Sequence, residues 1–178
     1  AVAWLLATVV LLALATRLEA QLGTHAAQGP APLAMRGYSP ISLLNARQWL
    51  QGRKQLEVVF DGFTYRLAND RELQLFRGSP ERYAPVLSGD CVVHFFKTGE
   101  RKPGMLRHGV VHENRLYFFS SSENKQAFVD DPGQYLDADL ALDGNCPVSL
   151  VELNRAVRGQ KELSAVLGGF RYLFPGAQ

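Results

Sequence analysis

Two cysteines and three histidines are the side chains of this 178-residue sequence best suited to site chemistry. Thiolates and imidazoles are the usual protein ligands of zinc and copper. Two residues separate Cys91 from His94, which is a familiar chelating interval, and two more histidines follow before the second cysteine. The candidate ligands of a transition metal, zinc or copper, are therefore Cys91, Cys146, His94, His108 and His112.

The segment after Cys91 must position most of these side chains. The run Val-Val-His-Phe-Phe predicts a strand, because β-branched and aromatic residues dominate it. Residues three apart on a strand point to opposite faces, so Cys91 and His94 could share an ion only across a bulge. If this strand pairs with the next one about the connection KTGERKPG, Cys91 could lie across from His112, and His94 near His108. That arrangement gives two pairs of ligands on opposite faces, and we favour half-exposed histidines on a sheet as the simpler interpretation.

A disulfide is the other chemistry open to the cysteines. In an exported protein two cysteines most often pair, and Cys91 with Cys146 would close a loop of 55 residues. Such a loop would constrain the unfolded chain by ~3 to 4 kcal/mol. Unpaired thiols and a metal site are the alternatives, because pairing needs Cα atoms within about 7 Å of each other.

The N-terminal residues indicate export. Residues 1–15 form an apolar run broken only by Thr8, and charged Arg17 and Glu19 follow it. We interpret residues 1–20 as a hydrophobic helix that is a signal peptide or an N-terminal membrane anchor, and the Pro-rich residues 21–36 as a flexible linker. The expected location is periplasmic, cell-surface or secreted, with membrane contact only through the N-terminal segment if it stays uncleaved.

Composition excludes some classes of partner and reaction. The net charge is +2, with basic and acidic residues interspersed, so no basic stripe predicts a nucleic-acid partner. The sequence has no nucleophile elbow, phosphate loop or His-Glu-x-x-His motif. Acidic pairs such as Asp137 and Asp139 lack the spacing of a calcium loop, and we interpret them as solvated turn residues.

Internal repetition is the strongest structural signal. Residues 37–67 align without a gap on residues 144–174, a shift of 107 positions, with 11 of 31 identical. A shorter shift of 52 positions superimposes Tyr-x-apolar followed by Phe-x3-Pro-x2-Tyr. These shifts predict a long unit at residues 37–143, made of halves 37–91 and 92–143, and the start of a second unit at 144–178. We therefore expect the natural protein to be longer.

Each copy has the pattern of a hairpin followed by a helix. Apolar-rich strands flank Asp61-Gly62, a turn pair that accepts positive φ, and equivalent turns follow at Glu113-Asn114 and Gly168-Gly169. The next segments begin with N-capping residues and acidic first turns, which predicts helices. A leading helix, ISLLNARQWLQG, is expected to end at Gly52. The predicted fold class is α+β, with repeated antiparallel hairpins and short helices after the N-terminal hydrophobic helix.

The repeated motif, with its Gly-x-x-Pro-[VI]-Ser start, resembles the YHS domain family. The family comprises small modules found alone, in repeats and beside metal-transporting ATPases, and some members are thought to bind metal. The motif residues, which we expect to be structural, are Tyr65, Phe76, Pro80, Tyr83, Tyr117, Phe128, Pro132, Tyr135 and Tyr172. Members that look like metal binders carry cysteines where this chain has Ser42, Ser149, Ala68 and Ser120. Neither a hydroxyl nor a methyl group replaces a thiolate ligand.

These observations favour a non-enzymatic, exported binding or scaffold module of YHS-like repeats. Its partner would be an unknown protein or a ligand of the cell envelope. The first alternative is a weak transition-metal binder or metal-handling accessory protein that uses the cysteines and histidines named above. A hydrolase or redox enzyme is the weakest alternative, because the sequence has no nucleophile-base arrangement and no paired redox cysteines.

Overall fold

The computed structural model describes residues 29–176 and contains the same short order of elements three times. Each copy has a tight 3-10 turn, a short helix and an antiparallel hairpin, and the first two copies add a second helix. The α+β class is therefore confirmed. The predicted hydrophobic helix, its signal-peptide or anchor role and the first half of the predicted linker lie outside the described residues.

The helices and strands are named in chain order. The first copy, repeat 1, contains α1 (Pro40–Ala46), β1 (Arg53–Phe60), β2 (Phe63–Leu67), α2 (Asp70–Gly78) and α3 (Pro80–Tyr83). Repeat 2 contains α4 (Val92–Thr98), β3 (Met105–His112), β4 (Arg115–Phe119) and α5 (Ser122–Asp130). Repeat 3 contains α6 (Pro147–Glu152), β5 (Gln160–Leu167) and β6 (Phe170–Phe174).

The three hairpins form where the turn residues predict them. Phe60 pairs with Phe63 around Asp61-Gly62, and the other two hairpins close in the same way. Each first strand also has an irregular register in its first half, for example between Met105 and Gly109 of β3. Within the described residues each hairpin is a separate two-stranded sheet. The helices and the neighbouring hairpins must therefore supply the rest of the packing.

The second helices also form as predicted, because a polar side chain caps each one. Asn69 accepts a hydrogen bond from the N–H of Glu72 at the start of α2, and Ser121 accepts one from Asn124 at the start of α5. Both helices end before a proline, Pro80 or Pro132, which starts a new short turn. The helices thereby lay Phe76 and Phe128, both fully buried, across their hairpins.

The predicted strand after Cys91 is wrong, because residues 92–98 form helix α4. Helices α1 and α4 start 52 positions apart, at Pro40 and Val92, as β1 and β3 do at Arg53 and Met105. The apolar run is therefore the repeat-2 copy of α1. Its valines are buried in the core, and this tertiary burial overrides their β propensity. The predicted pairing about KTGERKPG is consequently absent, since that segment joins α4 to β3.

Two other predicted boundaries also differ. The first helix ends at Ala46, because Arg47 adopts a left-handed conformation with φ 56°, and Gly52 is not its C-terminal cap. The predicted linker reaches residue 36, but Ala34 and Met35 are buried in the core of repeat 1. Met35 and Arg36 have φ of 49° and 52°, and the same left-handed turn precedes the first helix of repeats 2 and 3. Such backbone is costly for residues other than glycine, so its recurrence indicates a shared structural requirement.

The repeats pack against one another rather than forming isolated units. Leu116 and Phe118 of repeat 2 belong to the core of repeat 1, and Phe170 of repeat 3 packs against the core of repeat 2. The turn of the third hairpin also contacts the other two repeats. The carboxylate of Asp61 accepts hydrogen bonds from the N–H groups of Gly168 and Gly169 at 2.6 and 2.7 Å. Arg101 donates to the carbonyl oxygen of Gly168 at 2.9 Å and stacks over Phe170.

The described helices are short. No helix within residues 29–176 is both long enough and apolar enough to cross a bilayer. The longest helices there, α2 and α5, have nine residues each. This observation concerns only the described helices.

Candidate functional site

In repeat 1, Ser42 binds a carboxylate through its hydroxyl. YHS-like metal binders carry a cysteine at this position, two residues after the first proline. Ser39 caps α1, and Ser42 lies in its first turn. Their hydroxyls donate to Oε2 and Oε1 of Glu72, each at 2.6 Å. The N–H of Ala68 donates to Oε2 at 2.9 Å. We call these four residues the serine-glutamate cluster. Its buried carboxylate has both oxygens satisfied, so the cluster stabilises the fold by holding α1 against α2.

Removing one hydroxyl tests this structural role. Ser42→Ala is expected to lower the free energy of unfolding by about 2 kcal/mol, because it deletes a hydrogen bond to a buried charge. Ser149→Ala is the matched control, since Ser149 occupies the same place in α6 without an acidic partner in the described structure, and it should cost well under about 1 kcal/mol. Urea unfolding followed by tryptophan fluorescence gives both values. Equal losses in the two variants would contradict the role assigned to Glu72.

Repeat 2 has different residues at the same positions. Cys91 replaces Ser39 as the N-cap, and its sulfur accepts a hydrogen bond from the N–H of His94 at 3.4 Å. Asn124 replaces Glu72, and its amide donates to the sulfur of Cys91 at 3.6 Å and to the hydroxyl of Ser120 at 3.0 Å. Cys91 is completely buried. The sequence did not predict these partners, and its placement of Cys91 on a strand across from His112 is wrong because Cys91 caps a helix.

Cys146 occupies the equivalent N-cap of α6 in repeat 3. Interaction with the backbone N–H of Ser149 lowers the pKa of the Cys146 thiol below its usual value. Cys91 and Cys146 are both buried free thiols in the structure, so it gives the expected disulfide no support. Each cysteine instead starts the first helix of its own repeat.

The remaining candidate metal ligands lie on β3. The Nε2 atom of His108 accepts a hydrogen bond from Arg107 at 3.2 Å. His112 lies 3.9 Å from Glu113 and packs edge-on against the ring of Phe128. In the part of the chain that the structure describes, no three histidine, cysteine or acidic side chains are close enough to hold a metal ion. Transition-metal binding therefore stays a prediction from residue types.

The interpretation of Asp137 and Asp139 as solvated turn residues is wrong for Asp139. Asp137 is 54% exposed at its side chain, but Asp139 is only 2% exposed and is no solvated turn residue. The carboxylate of Asp139 forms ion pairs with Arg115 of repeat 2 and with Arg171 of repeat 3, the latter at 3.3 Å. The backbone also contributes, because the N–H of Arg171 donates to the carbonyl oxygen of Asp139 at 2.8 Å. Asp139 therefore joins two repeats through a buried charge.

The hydroxyl of Tyr117 lies buried beside this network, with Arg115 over its ring, and no atom of residues 29–176 hydrogen-bonds to it in good geometry. Tyr117→Phe is therefore expected to raise the free energy of unfolding by about 1 kcal/mol, because an unpaired buried polar group is removed. Burial also raises the pKa of Tyr117, so the unfolded chain releases this proton first and unfolding becomes easier above pH ~10. The variant should lose part of that alkaline dependence. Urea titrations at pH 7 and pH 10.5 measure both effects, and a destabilised variant at pH 7 would contradict the prediction.

A groove lies between repeats 1 and 2. It consists of two adjoining depressions of about 570 and 470 Å³ that share Arg36, Leu106 and Arg107. Trp49 lines the larger one, is 43% exposed and packs edge-on against Tyr38 at 5.4 Å between ring centroids. We call this surface the Trp49 groove; its other lining residues are Leu33, Met35, Gln51, Gly104, Met105 and Gly109.

Sequence reasoning missed the Trp49 groove because its residues come from separate segments. Trp49 follows α1, in an extended segment whose Leu50 carbonyl accepts a hydrogen bond from the N–H of Ser39 at 2.9 Å. The amide of Gln51 donates to the carbonyl oxygen of Arg36 at 3.2 Å and ties that segment to the left-handed turn. Both arginines that line the groove are exposed. The one available signal was a tryptophan after the last buried turn of α1.

Within residues 29–176 the fold is α+β, with three repeated hairpin-helix modules and the Trp49 groove between the first two. Comparison of the chain with protein-family models, with curated proteins and with solved structures found no match. The resemblance to the YHS family therefore stays a prediction based on the repeated motif. Its aromatic residues in repeats 1 and 2, from Tyr65 to Tyr135, are buried, whereas Tyr172 is half-buried.

Proposed function

We propose that this protein is a non-enzymatic, exported binding or scaffold module of YHS-like repeats, and that the Trp49 groove is its ligand-binding surface. The observation that carries the proposal is the composition of the groove. It combines an exposed tryptophan, a tyrosine and two arginines, which are the residue types enriched at the centres of protein interfaces. The ligand would be a protein or another component of the cell envelope.

The hydroxyls and the thiol at the starts of α1 and α4 have structural partners. The hydroxyls of Ser39 and Ser42 bind Glu72, and the sulfur of Cys91 accepts hydrogen bonds at the start of α4. Catalysis needs a nucleophile within reach of a base and open to a substrate, and these groups are buried. Their arrangement therefore supports a binding role over an enzymatic one.

Site-specific crosslinking in the producing cell tests the proposal. The photoreactive amino acid p-benzoylphenylalanine would replace Trp49 in one variant and Val59 in the other. Val59 is the matched control, because it is 64% exposed on the same repeat but lies outside the groove. We expect discrete crosslinked adducts from position 49 and none from position 59. Absence of adducts at 49, or the same adducts at both positions, would contradict binding in the groove.

Export has a separate test. The apolar residues 1–15 support it, and the expected result is recovery of the protein in the envelope or external fraction. Protease added to intact cells, with and without permeabilised outer layers, would distinguish the compartments. Protection that persists until the cytoplasmic membrane is lysed would contradict export.

A further inference from the structure

The charged residues that line the Trp49 groove are all positive. Arg36 and Arg107 both line it, and both of its depressions are free of lining aspartate and glutamate. Arg101, in contrast, is an exposed arginine that pairs with Asp90 at 2.6 Å. Among residues 29–176, neither Arg36 nor Arg107 forms an ion pair with a carboxylate. The groove therefore presents positive charge that a ligand can neutralise.

The rest of the groove is apolar and aromatic. Leu33, Met35 and Leu106 contribute aliphatic surface next to Arg36. Trp49 and Tyr38 form a rigid aromatic wall at the far end, and Trp49 also contacts Phe118 at 6.4 Å between ring centroids. A complementary ligand would thus carry negative charge beside an apolar or aromatic group.

The extent of the groove over two adjoining depressions favours an extended polypeptide as this ligand. Register pairing with β4 jumps from Met105 to Gly109, so residues 106–108 have no partner residue on β4. Leu106 and Arg107, within this stretch, line both depressions. Two adjoining depressions can take successive side chains of one extended segment.

We propose that the Trp49 groove binds an extended acidic peptide segment of a partner protein, with carboxylates on Arg36 and Arg107 and an aromatic side chain beside Trp49. This inference rests on the proposed binding function and names its ligand class. The main support for this ligand class is the charge complementarity between the two arginines and an acidic peptide. The aromatic side chains of Trp49 and Tyr38 would set the position of the ligand along the groove.

Three defined probes test the ligand class by fluorescence anisotropy. The first is the blocked, labelled hexapeptide Glu-Glu-Phe-Leu-Glu-Glu, and the second is its neutral analogue Gln-Gln-Phe-Leu-Gln-Gln. The third is a galacturonic acid hexamer, which is anionic but not a peptide. We expect the acidic peptide to bind at least tenfold more tightly than either other probe, and more weakly as salt rises from 50 to 300 mM. Equal binding of the neutral peptide would overturn the charge argument, and equal binding of the saccharide would overturn the peptide.

Variants locate the binding surface. Arg36→Ala with Arg107→Ala is expected to raise the dissociation constant of the acidic peptide at least tenfold, and Trp49→Ala at least fivefold. Arg77→Ala is the matched control, because it removes an exposed arginine from α2 outside the groove, and it should change binding less than twofold. Circular dichroism would verify that each variant is folded. If crosslinks form at position 49 but no acidic peptide binds, the ligand class is wrong while the binding function stands.

Discussion

Asp139→Ala is expected to lower the free energy of unfolding by about 3 to 5 kcal/mol, because it leaves two partly buried arginines without their shared carboxylate. Arg115 would keep a contact with the carbonyl oxygen of Leu136 at 3.3 Å, but that dipole does not replace a full charge. The loss is a large fraction of the 5 to 15 kcal/mol typical of a folded domain. The measurement is equilibrium unfolding in urea at pH 7.

Asp137→Ala is the matched control for this prediction. It also removes a carboxylate from Arg171, at 3.1 Å, but that side chain is more than half exposed. An exposed ion pair contributes about 1 kcal/mol or less, so this variant should remain close to the wild type. If both variants lost the same free energy of unfolding, the burial of Asp139 would not increase its contribution to stability.

Gly52→Ala is expected to lower the free energy of unfolding by about 3 kcal/mol, because there is no space for a side chain at this position. A Cβ atom there would lie 2.4 Å from the carbonyl carbon of Arg66 and 2.5 Å from its oxygen. Gly104 and Gly159 have the same close approach to Phe118 and Leu173 in repeats 2 and 3. Three equivalent glycines therefore let each extended segment pass directly against the second strand of its hairpin.

Gly78→Ala provides the comparison for Gly52→Ala. Gly78 is the last residue of α2 and has open space around it, so alanine there should be neutral or stabilise by up to about 1 kcal/mol. Thermal and urea unfolding of the two variants measure the difference. A Gly52→Ala protein as stable as Gly78→Ala would mean that the strand moves to accommodate the methyl group at little cost.

Local signals in the sequence are sufficient to predict the hairpins and the helices that follow them. Asp61-Gly62 permits a tight turn, and Asn69 and Ser121 cap the next helices through their own side chains. These features depend on residues a few positions apart. The helix from Val92 was misassigned because its residue types favour a strand, and only its packing in the core overrides them. Alignment of this run with residues 40–46 at the 52-residue shift would have found it.

The candidate site was harder to predict because its properties arise from distant segments. The burial of Asp139 depends on Arg115 and Arg171, which are 24 and 32 positions away. The Trp49 groove likewise joins a left-handed turn, the segment after α1 and the irregular part of β3. Periodicity identifies which face of an element is apolar, but it carries no information on which faces meet. The cysteines, in contrast, suggested a metal site from their residue type, although each is the N-cap residue of a helix.

The contact of Asp61 with the third hairpin has a consequence for how this chain folds. In an open array each repeat touches only its neighbours, and folding can begin at any repeat and spread. Here Asp61 hydrogen-bonds directly to Gly168 and Gly169, which are 107 and 108 positions away in the sequence. Arg101 of the middle repeat also donates a hydrogen bond to this turn. The third hairpin can complete its contacts only after the first two repeats have formed the surface that receives it. Closing such a long loop is slow, so this docking step is expected to come last and to make the three repeats unfold as one cooperative unit.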